Sequence, residues 1–136
     1  MVSQFLLDTN IWILLLKQPP ASLRRRLDAE GARNIATCSV VKAELWHGAL
    51  KFEDARQRQT IVEHLLAPYA SLPFDDAAAR HYGTIRHALE TRGQVIGPND
   101  LKIAATCLAH GLTLVTGNSE EFGRVTGLSV EDWTKS

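Results

Sequence analysis

The stretch FLLDTNIWILLLK, residues 5–17, is the one from which the fold follows. Phe5-Leu6-Leu7 is a short apolar run of the kind that forms a buried strand. It ends at Asp8-Thr9-Asn10, three residues that start helices well, and Ile11 to Lys17 continues as a short helix. A strand that passes straight into a helix implies that the next strand lies parallel to the first.

The rest of the chain repeats that alternation. Pro19-Pro20 stops the first helix and opens a second, Ala21 to Glu30, which Gly31 ends. Asn34 to Ser39 reads as a strand, Val40 to Leu50 as a helix, and Glu53 to Leu66 as a further helix broken by Pro68. Asp75-Asp76 begins a helix that runs to Thr91. After a loop from Gly93 to Pro98, Asn99-Asp100 opens one to His110, with Gly111 at its end. Leu112 to Thr116 is the clearest strand, and Leu128 to Trp133 a weaker last one. Strands separated by helices predict an α/β/α sandwich with a central, mainly parallel sheet. Ligands in such folds gather at the carboxyl ends of the strands. Asp8 and Thr116-Gly117-Asn118 fall there. No repeat, low-complexity run or linker interrupts residues 1–136, a length that suits a single domain with one core.

Three carboxylates stand out against this frame. Asp8 is either a functional acid or simply a helix N-cap, a task that Thr9 or Asn10 could also perform. Glu44 shares a helix stripe with Val41, Leu45 and Gly48, spaced i, i+3, i+4, i+7. An ionised carboxylate on that small and apolar face is costly unless it is paired; the plainer reading puts Glu44 at a solvated edge. Asp100 shares a stripe with Ile103, Ala104, Cys107 and Leu108. It also lies in a first helical turn, where the helix dipole favours an anion in any case. Acids gathered at the ends or inner faces of three elements repel one another unless a cation neutralises them. With hard oxygen donors and no histidine or cysteine among them, that cation is Mg²⁺, with Mn²⁺ as a substitute, rather than zinc.

Composition removes other classes. Hydrophobic residues make up 45% and charged residues 22%, with zero net charge, which argues against a nonspecific DNA coater. No apolar run is long enough to span a membrane. Residues 1–16 lack the basic leader and the cleavage site of a signal peptide. Cys38 and Cys107 form no metal-binding pair and read as reduced core thiols, hence a cytoplasmic protein. None of the five histidines is paired at ligand spacing, so all five, His47 included, read as surface or partly buried groups. Arg24-Arg25-Arg26 reads as a solvated helix face. Trp12 and Trp46 read as core or dimer-contact groups, or as stacking partners for an RNA base.

The motifs DTN (8–10), ELWHGA (44–49), IGPND (96–100) and LVTGNSEEF (114–122) together resemble those of the PIN-domain ribonucleases, specifically the VapC toxins. The nearest group is similar to the VapC enzymes that cut initiator tRNA in its anticodon stem-loop. The resemblance runs from Leu6 to Trp133. It implies a PIN-like fold with Asp8, Glu44 and Asp100 at the family's acidic positions. Many members carry an aspartate after the last-motif threonine, here Thr116; this chain has Asn118 there, with Glu121 nearby as another source of charge. The resemblance further implies Mg²⁺-dependent cleavage of RNA, most simply a tRNA, and inhibition of translation. Its implied partners are a VapB-like antitoxin, a second copy in a homodimer, and higher hetero-oligomers with the antitoxin. The phosphate would be seated by basic residues such as the Arg24–Arg26 run and Lys42. Two other readings stay open. One is a PIN-fold interaction module without activity. The other is an aspartate-based phosphatase or receiver domain with Asp8 as acceptor, although Asn10 stands where the second aspartate of such sites is expected.

Overall fold

The computed structural model describes residues 3–135. Five strands form one sheet: β1 (Phe5–Leu7), β2 (Ile35–Cys38), β3 (Ala70–Leu72), β4 (Thr113–Val115) and β5 (Val130–Glu131). Their order is β3-β2-β1-β4-β5 and every pairing is parallel. The helices among the described residues are α1 (Thr9–Leu16), α2 (Ala21–Glu30), α3 (Ser39–Ala49), α4 (Ala55–Leu66), α5 (Asp76–Thr91), α6 (Pro98–His110) and α7 (Ser119–Phe122). A single turn of 3₁₀ helix, Ala32–Asn34, leads into β2.

The apolar run of β1, and that of β2 interrupted only by Thr37, are explained by their place in the sheet. Both are buried along their whole length, with helices covering both faces. Leu6 sits between Ala36 on one side and Leu114 on the other. From β1 the chain moves outward to β2 and β3, then returns to the opposite side of β1 as β4. Strand order therefore reverses between β1 and β4. The crevice beyond their carboxyl ends is the topological switch point at which open α/β sheets place their sites.

The structure departs from the sequence-based expectations in several places. Strand β3 is absent from them. Ala70-Ser71-Leu72 has no β-branched residue and sits mostly exposed at the sheet edge, where its backbone bonds to β2 make it a strand. Helix α7, one turn long, is also new. The last strand shrinks to Val130–Glu131, although Trp133 beyond it is buried and stands edge-on to Phe5, with ring centres 5.0 Å apart.

Trp12 is wholly buried, donates from its indole nitrogen to the Leu7 carbonyl at 3.1 Å, and packs edge-on to Tyr69. It is a core residue and offers no surface to a partner or a base. Trp46, in contrast, is 42% exposed. Cys38 and Cys107 are buried free thiols. No helix among the described residues is long and apolar enough to cross a membrane.

Candidate active site

Asp8 is the first residue past β1 and the N-cap of α1. Its backbone N–H donates to the Val115 carbonyl at 3.0 Å, extending the β1–β4 ladder by one bond. Its Oδ1 accepts from the Ile11 N–H at 3.1 Å, and its Oδ2 accepts from the Thr116 hydroxyl, which stands directly after β4. The side chain thus bridges the two strands that flank the switch point. The capping reading of Asp8 is realised by Oδ1, while the same carboxylate, only 4% exposed, also lines the crevice.

Glu44 projects from α3 toward the same crevice. Val41 and Leu45 anchor the helix in the core, while Glu44 is half-buried at the rim. It is not left unpaired: Thr9 donates its hydroxyl to Oε1, and Asn99 donates its side-chain amide to Oε2 at 3.4 Å. Asp100 stands in the first turn of α6, which Pro98 opens with a ring pre-set for helix. Asp8, Thr9, Asn10, Ile13, Glu44, His47, Gly48, Lys51, Asn99 and Asp100 line one open pocket of about 360 Å³. The three acids singled out from the sequence therefore share one cavity.

Their charges register in one another's ionisation. Burial raises Asp8 above the usual carboxylate range, partly opposed by the Thr116 hydroxyl and the Ile11 N–H; the Glu44 charge adds to the rise. Asp100 is pushed up to about 6, first by burial and then by the negative charges of Glu121, Glu44 and Asp8.

The fourth position divides differently. Asn118 is exposed, and its backbone N–H donates to the Thr116 hydroxyl oxygen at 3.0 Å. Its amide donates to Glu121 Oε2. Neither residue lines the pocket, yet Glu121 heads the charges that act on Asp100. The charge on that side comes from Glu121, and Asn118 orients it.

His47 and Lys51 were missed as site residues. They continue the Val41-Glu44-Gly48 stripe, since Glu44, His47, Gly48 and Lys51 are again spaced i, i+3, i+4, i+7; the spacing that singled out Glu44 reaches both. The basic residues expected to seat a phosphate lie elsewhere. Arg26 bonds to Glu30 and Glu131 and stacks on Trp133, and Lys42 lines a separate depression with Trp46 and Tyr69.

The donors in the pocket fit a hard divalent cation. They are oxygens of carboxylates, hydroxyls and an amide, and the carboxylates repel one another. Among the described residues no group of three or more acidic, histidine or cysteine side chains stands close enough to hold a metal ion by itself. Mg²⁺ does not ask for such a group: it keeps several waters and binds one or two carboxylates together with a substrate phosphate.

The PIN domain family model matches residues 5–128 of the chain. The tRNA(fMet)-specific endonuclease VapC of Shigella flexneri is 39% identical over 131 residues, covering 96% of this chain and 98% of its own. The VapBC complex of Salmonella typhimurium, solved bound to DNA, includes a chain that superposes with a TM-score of 0.91 at 34% identity, covering 98% of this chain and 99% of that one. A chain of VapBC2 from Rickettsia felis, bound to a DNA fragment from its promoter, gives a TM-score of 0.88 at 36% identity with the same coverage.

Proposed function

Because the chain belongs to the PIN-domain family, among its VapC members, we propose that it is the ribonuclease toxin of a VapBC-type toxin–antitoxin pair. Its reaction is Mg²⁺-dependent cleavage of tRNA, with initiator tRNA cut in the anticodon stem-loop and translation halted as a result. The observation that carries this reading is the convergence of Asp8, Glu44 and Asp100 in one pocket at the β1/β4 switch point.

Asp8 and Asp100, with Glu44 completing the set, are the residues to hold Mg²⁺, directly or through water. The bound ion supplies a polarised water and offsets charge on the phosphodiester during displacement. The chain's own part is to fix the acids. Thr116 holds Asp8 Oδ2, Ile11 holds Oδ1, and Thr9 and Asn99 hold the two oxygens of Glu44. Asn118 and Glu121 close the charged rim behind Asp100. An unpaired loop can splay a phosphate into a pocket of about 360 Å³, whereas a rigid duplex cannot. The choice of initiator tRNA follows the name of the Shigella relative.

A VapB-like antitoxin is the natural occupant of the apolar trough beside the pocket, which is lined by Leu16, Leu45, Ala49, Phe52, Ile61 and Val62 and shares Ile13, Glu44 and Gly48 with it. A peptide lying there can place an arginine or lysine against the acids, in competition with Mg²⁺. A homodimer in the cytoplasm, where tRNA is found, completes the proposal.

An aspartyl-phosphate at Asp8 is disfavoured, since Asn10 stands where such sites carry their second aspartate. An inactive module would have no need of hydroxyls and an amide placed to orient the acids. Purified protein incubated with total RNA, with Mg²⁺ and with EDTA, should yield discrete Mg²⁺-dependent cuts. RNA left intact in Mg²⁺ would refute the proposal.

A further inference from the structure

The acidic pocket has a second wall of opposite character. His47 and Lys51 line it together with Asp8, Glu44 and Asp100, and both are exposed to solvent. His47 lies in the last turn of α3 and Lys51 just beyond its end, one and two turns past Glu44. A cation at a helix C-terminus is favoured by the helix dipole whatever it faces. That accounts for basic residues at this end but not for the side on which they lie. The Glu44 stripe places both on the rim of the open cavity rather than on the opposite face of the helix. Among the described residues neither is engaged in an ion pair, as holds for most of the basic residues, but these two are the ones that line the acidic pocket.

We infer that Lys51, with His47 beside it, seats the RNA backbone phosphate that enters the pocket. This rests on the ribonuclease reading. The lining carries three carboxylates against one ammonium, a formal excess of two negative charges that one divalent cation cancels. With such a cation bound, a phosphodiester would meet a near-neutral pocket in which Lys51 is the point charge and His47 a ring N–H donor. In a protein of zero net charge bulk attraction for RNA is weak, so a cation on the pocket wall carries more of the backbone recognition than it would in a basic protein. Lys51 and His47 take the place expected for the Arg24–Arg26 run and Lys42, none of which lines the pocket. They are substrate-positioning residues: they hold the phosphate, while the acids and their cation carry the chemistry.

The test is steady-state cleavage of initiator tRNA and of its isolated anticodon stem-loop in Mg²⁺. It compares wild type, Lys51→Ala, Lys51→Arg, His47→Gln and a Lys42→Ala control. Lys51→Ala should raise KM at least about fivefold on both RNAs with kcat within about twofold. It should also make the slope of log kcat/KM against log salt shallower by about 0.7, the signature of one lost contact to single-stranded phosphate. Lys51→Arg should restore most of the loss, His47→Gln should raise KM by less, and Lys42→Ala should match wild type. If wild type cuts RNA and Lys51→Ala is indistinguishable from Lys42→Ala, or loses kcat rather than KM, this inference fails and the ribonuclease reading stands. If wild type cuts no RNA, both fail.

Discussion

At the scale of single residues, the site is a set of carboxylates held in place by neutral donors, and its ionisation follows. Asp100 is pushed from 3.8 up to about 6. Its folded form therefore binds protons more tightly than its unfolded form. The stability linked to that proton is fully present below about pH 3.8 and is lost as pH rises through about 6. A shift of that size corresponds to at most about 3 kcal/mol, and solvent screening at this half-buried group reduces it to about 1 kcal/mol. Metal-free Asp100→Asn should accordingly melt about 4 °C above wild type at pH 7.5 and close to it at pH 4. Mg²⁺ should raise the melting temperature of wild type more than that of the variant. Thermal melts in EDTA and in Mg²⁺ decide this; a variant that melts below wild type at pH 7.5 without metal contradicts it. Asp8→Asn keeps an acceptor for the Ile11 N–H and should fold, yet lose about a thousandfold in cleavage rate, the several kcal/mol that a metal-bound site supplies. A rate within tenfold of wild type would remove Asp8 from the site. The three acids were legible because each interrupts an apolar pattern. Asn118 and Glu121 were not separable in sequence, since only the bond between them and the nearness of Glu121 to Asp100 assign their parts.

At the scale of elements, α3 is the one that sets the site. It carries Glu44, His47 and, just past its end, Lys51, and it is pinned by Val41 and Leu45 in the core. Leu45→Ala should destabilise the protein by about 3 kcal/mol through the cavity it leaves. Because the rim residues move with the helix, activity should fall steeply on warming, well before wild type loses any. Paired denaturant melts and cleavage assays at two temperatures test this; unchanged stability would show that α3 is not anchored through Leu45. The elements read correctly from sequence were those with strong periodicity or clear punctuation, such as α6 between Pro98 and Gly111. The positive φ of 65° at Gly111 ends that helix in a left-handed conformation glycine adopts without strain. Strand β3 was illegible for a physical reason. Its residues bury little and have weak strand preference, so only the neighbouring backbone of β2 defines it.

At the scale of the whole molecule, the strand order decides where chemistry can happen. The reversal between β1 and β4 brings residues 8 and 116, far apart in the chain, into hydrogen-bond contact, and α3 and α6 close over the crevice. That alternation was legible from residues 5–17 outward, whereas the order of the strands needed the structure. Zero net charge at this scale means that bulk attraction for RNA is weak, so the proposed tRNA selectivity would rest on RNA shape. The most direct test is cleavage of a complete tRNA set beside an unstructured oligonucleotide and a DNA duplex, in Mg²⁺ and in EDTA, by wild type and Asp8→Asn. Wild type should cut initiator tRNA at a single place in its anticodon stem-loop, only in Mg²⁺, and Asp8→Asn should leave every RNA intact. Equal cutting of all RNAs, cutting of the duplex DNA alone, or cutting that survives both EDTA and Asp8→Asn would contradict the account.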